Sequence, residues 1–208
     1  MTTIAFDNEL SSAPTGLRVR TCASIAGPML LTPKRHGDAR GFFCESFKTS
    51  WFEALGISAT FLQDNQSLSR SPGVVRGLHF QAAPHAQGKL LRVLRGSVFD
   101  VIVDIRRGSP SYGQSLGVRL DAETGDQLWV PVGFAHGFAT LEPDTEVLYK
   151  VTAPYAPDCE GGLLWNDPAL GVDWPVAAEA AVLSDRDRTW PTLSALQSPF
   201  TFETGGAP

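Results

Sequence analysis

Cysteine is scarce in this chain. Cys22, Cys44 and Cys159 are an odd number with no C-x-x-C spacing, which argues against a disulfide framework or a structural zinc site and fits a reducing cytosol. Long apolar runs are missing: no stretch approaches the roughly 20 residues that a membrane span requires. The opening Met1-Thr2-Thr3-Ile4-Ala5-Phe6 has no basic segment leading into an apolar one, so it does not read as a signal peptide. Positive charge is also short. The chain carries 17 Lys and Arg against 22 acidic residues, a net charge of -5, so there is no global basic field to attract nucleic acid. The setting expected from these absences is cytoplasmic and soluble, with neither nucleic acid nor membrane as a partner.

Several catalytic signatures are missing as well. There is no G-x-G-x-x-G and no P-loop, since Gly113 and Gly117 lack the required company. No Ser or Cys sits in a nucleophile elbow. The metal pattern often carried by barrel proteins, an H-x-H pair on one strand with a Glu a few residues on, puts three ligands on one face. Here it is broken at His79-Phe80-Gln81, while His85 lies in a loop beside Pro84 and His136 is far along the chain. His79, His85, His136 and Glu142 therefore do not predict a catalytic metal.

What is present is a run of short apolar segments punctuated by 20 glycines and 15 prolines in 208 residues, a length that suits one domain with a full core. Strands are expected over 28–32, 42–47, 61–67, 74–81, 89–95, 98–105, 115–120, 126–130, 134–141 and 146–152. Turns recurring at intervals of about 8 to 12 residues indicate a β-sandwich or barrel, and a jelly roll would supply a central cavity. Helices are expected over 48–55, where Trp51, Phe52 and Leu55 have helical spacing before Gly56, and over 177–183. The domain is expected to span 21–190, with a loosely ordered extension over 1–20 and a tail over 191–208.

The stretch 74–105 concentrates the chemistry. Arg76, His79, Lys89 and Asp100 are set among β-branched and apolar residues. Between 98 and 105, Val98, Asp100, Ile102 and Asp104 take one face and Phe99, Val101, Val103 and Ile105 the other. An acid on an inner face usually lines a pocket rather than a solid core. Taken singly, His79 reads as a hydrogen-bonded core histidine and Lys89 as a solvated strand end. Tyr149 reads as well for a core tyrosine as for a functional one. Together they suit proton abstraction with charge stabilisation: imidazole, with an unperturbed pKa of about 6.5, is the natural base near neutrality, and it needs a carboxylate to hold its tautomer.

Ordered motifs then match a known family. Gly37-Asp38-Ala39-Arg40-Gly41-Phe42-Phe43, Gln63-Asp64-Asn65, Arg76-Gly77-Leu78-His79-Phe80-Gln81, Gln87-Gly88-Lys89 and the segment 99–106 come first. Leu128-Trp129-Val130-Pro131, Gly133-Phe134-Ala135-His136-Gly137-Phe138, Leu148-Tyr149-Lys150 and Trp165-Asn166-Asp167 follow. From about residue 28 to about residue 190 the chain resembles the dTDP-4-dehydrorhamnose 3,5-epimerases. The resemblance implies a mainly β cupin-type double-stranded β-helix (a jelly roll) with short helices toward the C-terminus, no cofactor, and a homodimer formed by strand exchange.

Its implied substrate is dTDP-4-keto-6-deoxyglucose, whose ketone acidifies the protons on C3 and C5. His79 would be the base, Asp187 its orienting carboxylate, Lys89 the enolate stabiliser and Tyr149 the acid, with Asp100 a further polar group in the cavity. Arg40, Glu45, Gln63, Asp64, Asn65, Arg76, Lys89, His136, Glu160 and Arg186 would surround the nucleotide and sugar, and Tyr155 would stack on the thymine. Ser115 stands where the family often has tryptophan, and Pro154 beside Tyr155 could shift the stacking ring. The competing readings are a mono-epimerase acting at C3 or C5 alone, a non-catalytic sugar-nucleotide binding module, and a metal-dependent cupin dioxygenase.

Overall fold

The computed structural model describes residues 6–203. Its strands, in chain order, are β1 (Asn8–Glu9), β2 (Leu17–Thr21), β3 (Met29–Pro33), β4 (Arg35–Asp38) and β5 (Gly41–Cys44), followed by the helix α1 (Thr49–Ala54). Then come β6 (Gln63–Ser69), β7 (Val75–Gln81), β8 (Lys89–Arg95), β9 (Ser97–Asp104), β10 (Ser115–Asp121), β11 (Gln127–Val130), β12 (Phe134–Thr140), β13 (Thr145–Val151) and β14 (Glu160–Gly162). Two antiparallel sheets face each other, ordered β1-β2-β3-β11-β8-β13-β6 and β10-β9-β12-β7-β14, and β4-β5 forms a separate hairpin. This is the cupin-type jelly roll that the strand pattern and the resemblance predict.

Strand alternation builds three layers of core. Val98 and Ile102 of β9 face inward with Leu91, Leu128, Phe138 and Val147, filling the space between the sheets. Val101 and Val103 of the same strand face outward, where Leu163, Trp165 and Leu170 of the C-terminal segment cover them. A third cluster packs Trp51 and Phe52 of α1 over Leu31, Leu90 and Trp129 on the outer face of the larger sheet. Leu91 and Phe138 of the inner cluster also border a cavity between the sheets.

The ends of the chain are more integrated than expected. Residues 17–20, read as part of a loose extension, belong to β2 and pair with β3, burying Leu17 and Val19. Residues 1–5 and 204–208 of the expected extension and tail lie outside the described residues. Within the expected tail, Leu193, Leu196 and Phe200 pack against the outer core, and Ser198 is buried. The helix expected over 177–183 is instead a single turn closed by backbone bonds from Ala180 and Ala181 to the Ala177 carbonyl. Val182 then bridges to Val74 at the edge of β7, and that pairing wins over the weak helical tendency of an alanine-rich run. The polar segment 34–40, read as a turn, is largely strand β4, held by pairing with β5 rather than by burial.

Candidate active site

A bulge in β7 sets the geometry of the cavity. His136 pairs with His79 and Phe138 with Arg76, so two steps along β12 match three along β7. In an unbroken strand, residues three apart point to opposite faces; one extra residue brings Arg76 and His79 to the same one. The extra residue needs glycine. Gly77 has φ 137°, and a Cβ there would lie 2.5 Å from Gly137 Cα on β12.

The cavity between the sheets encloses about 440 Å³ and is lined by side chains from both. Arg76 and His79 come from β7 and His136 from β12, on the smaller sheet. Lys89 and Leu91 come from β8 and Tyr149 from β13, on the larger sheet. His79 and Tyr149 therefore approach from opposite walls. An adjoining cleft of about 320 Å³ shares His79, Lys89, Tyr149 and Glu160 and adds Gln63, Asn65, Gln81, Gln87 and Tyr155. The combined groove can hold a sugar beside the charged groups and a longer substituent running outward.

Asp187 reaches the cavity on a short 3-10 turn, Arg186–Arg188, that packs on β7. Its Oδ1 lies 2.5 Å from His79 Nε2, across 108 residues of sequence. Ser184 Oγ donates to its Oδ2 at 2.9 Å and accepts from its backbone N–H at 3.2 Å, which locks the turn. Burial pushes the Asp187 carboxyl up, but hydrogen bonds from His79 and Ser184 outweigh that and hold it below its ordinary range. An ionised carboxylate only accepts, so it fixes the His79 proton on Nε2 and leaves Nδ1 as the basic nitrogen.

Lys89, Asp100 and His136 form a second charged group. Asp100 is fully buried, with His136 Nε2 3.0 Å from both of its oxygens. Burial raises the Asp100 carboxyl, partly offset by His136 and Lys89. Burial lowers the Lys89 ammonium to about 8, against the pull of Asp100 and Glu160. Lys89 Nζ also donates to the His79 carbonyl at 3.4 Å. Burial likewise raises the Tyr149 hydroxyl, with Arg76 opposing, so Tyr149 holds its proton at neutral pH.

The cavity thus gathers His79, Lys89, Tyr149 and Asp187, with Asp100 directly behind His136. Arg76, Gln63, Asn65, Glu160, Arg186 and Tyr155 line the same groove. Tyr155 is half exposed, and its hydroxyl donates to Glu160 at 3.0 Å. Three expected residues lie elsewhere. Asp64 points away from the groove between Gln63 and Asn65, paired with Lys150 at 2.9 Å. Arg40 lies in the turn of the β4-β5 hairpin and pairs with Asp38; Glu45, just beyond β5, pairs with Lys48. Both are outside the cavity of their own chain.

Ser67, Phe138, Ser184 and Gln81 also line the groove without having been singled out in the sequence. Alternation from Asn65 along β6 was the available signal for Ser67. Ser184 announces itself only as a turn-former three residues before Asp187. Among the described residues, no three of His, Cys, Asp and Glu gather in a metal-binding group.

Fold and site together define a jelly-roll protein with an acid–base pocket formed between its two sheets. Residues 22–195 match the family model of dTDP-4-dehydrorhamnose 3,5-epimerase. The dTDP-4-dehydrorhamnose 3,5-epimerase of Sinorhizobium fredii is 50% identical over 179 residues, 86% of this chain and 91% of that protein. The crystal structure of dTDP-6-deoxy-D-glucose-3,5-epimerase from Legionella pneumophila, in complex with dTDP-4-keto-L-rhamnose, is 43% identical with a TM-score of 0.82. That match covers 88% of this chain and 97% of the other. A 3'-monoepimerase from Streptomyces bikiniensis, in complex with dTDP-quinovose, is 36% identical with a TM-score of 0.76, over 82% of this chain and 86% of that one. The chain belongs to the dTDP-4-dehydrorhamnose 3,5-epimerase family.

Proposed function

We propose that this protein epimerises C3 and C5 of dTDP-4-keto-6-deoxyglucose without a redox or metal cofactor, giving dTDP-4-keto-L-rhamnose for L-rhamnose supply. The observation that carries the reading is the placement of a carboxylate-held imidazole and a protonated phenol on opposite walls of one cavity, with the Lys89 ammonium on the phenol's wall. An epimerase must remove a proton from one face of a carbon and return one on the other. His79 takes the proton α to the ketone through its free ring nitrogen, while Asp187 stabilises the imidazolium that forms. Lys89 meets the enolate oxygen, and in a cavity of low dielectric its charge is worth more than in water. Tyr149 delivers a proton from the opposite wall. Arg76, whose planar fork suits phosphate oxygens, is an exposed guanidinium on the cavity wall.

The family membership, the 50% identity to the Sinorhizobium enzyme and the sugar nucleotide held by the Legionella enzyme support this substrate. Arg40 and Glu45 line neither part of the groove in their own chain, and the hairpin that carries Arg40 exposes Phe42 at 62% and Phe43 at 68%. A homodimer that exchanges this hairpin would cover those rings and bring both charges to the partner's groove. The cytoplasm suits three unpaired cysteines and a chain whose described residues hold no helix long and apolar enough to cross a membrane.

Proton NMR of dTDP-4-keto-6-deoxyglucose incubated with the protein in deuterium oxide tests the reading. Deuterium at both C3 and C5 is expected. Incorporation at one carbon alone would make the protein a mono-epimerase, and none at either would leave only a sugar-nucleotide binding module.

A further inference from the structure

Trp190 lies three residues beyond Asp187 and outside every lining residue of the groove, yet it touches the machinery from behind. Its indole stands edge-on to the His79 imidazole, with ring centroids 6.1 Å apart and planes at 70°. The other side of the ring rests on β14. There Gly162, paired with His79, lies so close that a Cβ would sit 2.3 Å from the indole carbons. Trp190 is thus wedged between a glycine that makes room for it and the base. Its indole nitrogen is buried, and no acceptor meets it at full hydrogen-bond geometry. It is nonetheless near enough to the Asp187 carboxylate to help hold that carboxyl down, after the larger contributions of His79 and Ser184. A carboxylate accepts at about four positions, and a buried donor left unserved is costly.

Resting on the epimerase reading, we propose that Trp190 is a positioning residue for the His79–Asp187 pair. Its ring braces the imidazole, and its N–H serves the carboxylate as a third donor beside His79 and Ser184. The donor matters most while His79 is neutral and no imidazolium offsets the charge on the Asp187 carboxylate. It also restrains the carboxylate: with one donor fewer, Asp187 binds the shared proton of the pair more strongly. Arg76, Lys89, His136, Tyr149, Tyr155, Glu160 and Arg186, with Asp100 behind His136, are the other ionisable or charged groups around the groove, and none of them is altered by substitution of Trp190.

Trp190→Phe keeps the ring and removes the N–H. The expected result is a kcat lower by roughly threefold to tenfold, the worth of one net hydrogen bond, with KM for the sugar nucleotide unchanged within about twofold. The acidic limb of kcat/KM should move to higher pH, and Ser184→Ala should move it the same way. A Trp190→Phe enzyme with wild-type kcat and an unmoved acidic limb would reduce Trp190 to packing. In the wild-type protein, the Trp190 indole proton–nitrogen NMR signal should follow the titration of the pair; a flat signal overturns the proposal even if the variant does not fold. Wild-type protein that exchanges neither C3 nor C5 would instead sink the epimerase reading, while the indole titration still reports on the contact itself.

Discussion

Replacing Lys89 by methionine should make the protein more stable and catalytically inert. The ammonium is held at about 8 instead of 10.5, chiefly by burial. At about 1.4 kcal/mol per pH unit, keeping it charged in the folded state costs roughly 3 kcal/mol at neutral pH. Methionine matches the length of the lysine stem without that cost. Part of the gain is lost because Asp100 and Glu160 lose a counter-charge, although Asp100 keeps His136 at 3.0 Å. A net gain of about 1 to 2 kcal/mol is expected, or a Tm rise of roughly 2 to 8 °C for a chain of this size. The pH dependence fixes the sign. A lysine with a lowered folded pKa binds fewer protons folded than unfolded between about 8 and 10.5, so wild-type stability contributed by this group rises with pH across that window. The advantage of Lys89→Met should therefore be full at pH 7 and gone near pH 10.5. Urea denaturation of both proteins across that range measures it, alongside a kcat loss of about 100-fold to 1000-fold for the missing enolate stabiliser. A Lys89→Met protein less stable than wild type at pH 7, or a gap that widens with pH, would refute the argument.

The other predictions follow from the same cavity. Activity of the wild type should fall as pH rises through about 8 with loss of the Lys89 proton, since Tyr149, raised by burial, still holds its own; Lys89→Arg should push that alkaline limb beyond pH 10, at reduced rate, in a pH–rate profile of kcat. His79→Ala should lower deuterium exchange at both C3 and C5 by about 100-fold or more while calorimetric binding of dTDP stays near wild type, because the groove for the nucleotide is intact. Tyr149→Phe should retain deuterium wash-in at C3 while product with both centres inverted fails to accumulate, as read by NMR. Gly77→Ala should cost more than about 2 kcal/mol in urea denaturation, because its Cβ would lie 2.5 Å from the β12 backbone at a φ that L-residues avoid.

Much of the fold could be read locally. The segment 89–95 was bounded correctly by Gly88 and Gly96, and alternation along 98–105 correctly placed Asp100 inside and Val101 outside. Local reading failed where a strand is held by pairing instead of by its own pattern. Leu17–Thr21 offers only Leu17 and Val19 as buried apolar positions between exposed or half-buried polar ones, and β4 buries almost nothing. The Asp187 contact with His79 was reachable only through the family resemblance, since no periodicity links residues so far apart.

The site shows what motif matching transfers and what it does not. A motif carries residue identities, whereas a strand obliges neighbours to face opposite ways. Gln63-Asp64-Asn65 cannot all enter one groove from a regular strand, so alternation alone could have removed Asp64, which indeed turns outward to Lys150. The same rule applied to Arg76 and His79 would have separated two residues that share the cavity. The only warning was Gly77 inside the strand Val75–Gln81, a position where glycine marks a bulge or a close backbone approach; here it marks both. Arg40 and Glu45 show the remaining gap. Arg40 sits in the turn, and Glu45 just beyond the end, of a hairpin that pairs with neither sheet of its own chain, and neither residue lines the groove. The proposed homodimer would account for their motif, with the exposed Phe42 and Phe43 as the contact between the two chains. Sedimentation of Phe43→Glu decides it: a monomer with weakened sugar-nucleotide binding is expected, and a variant that stays dimeric with unaltered binding would remove Arg40 and Glu45 from the site.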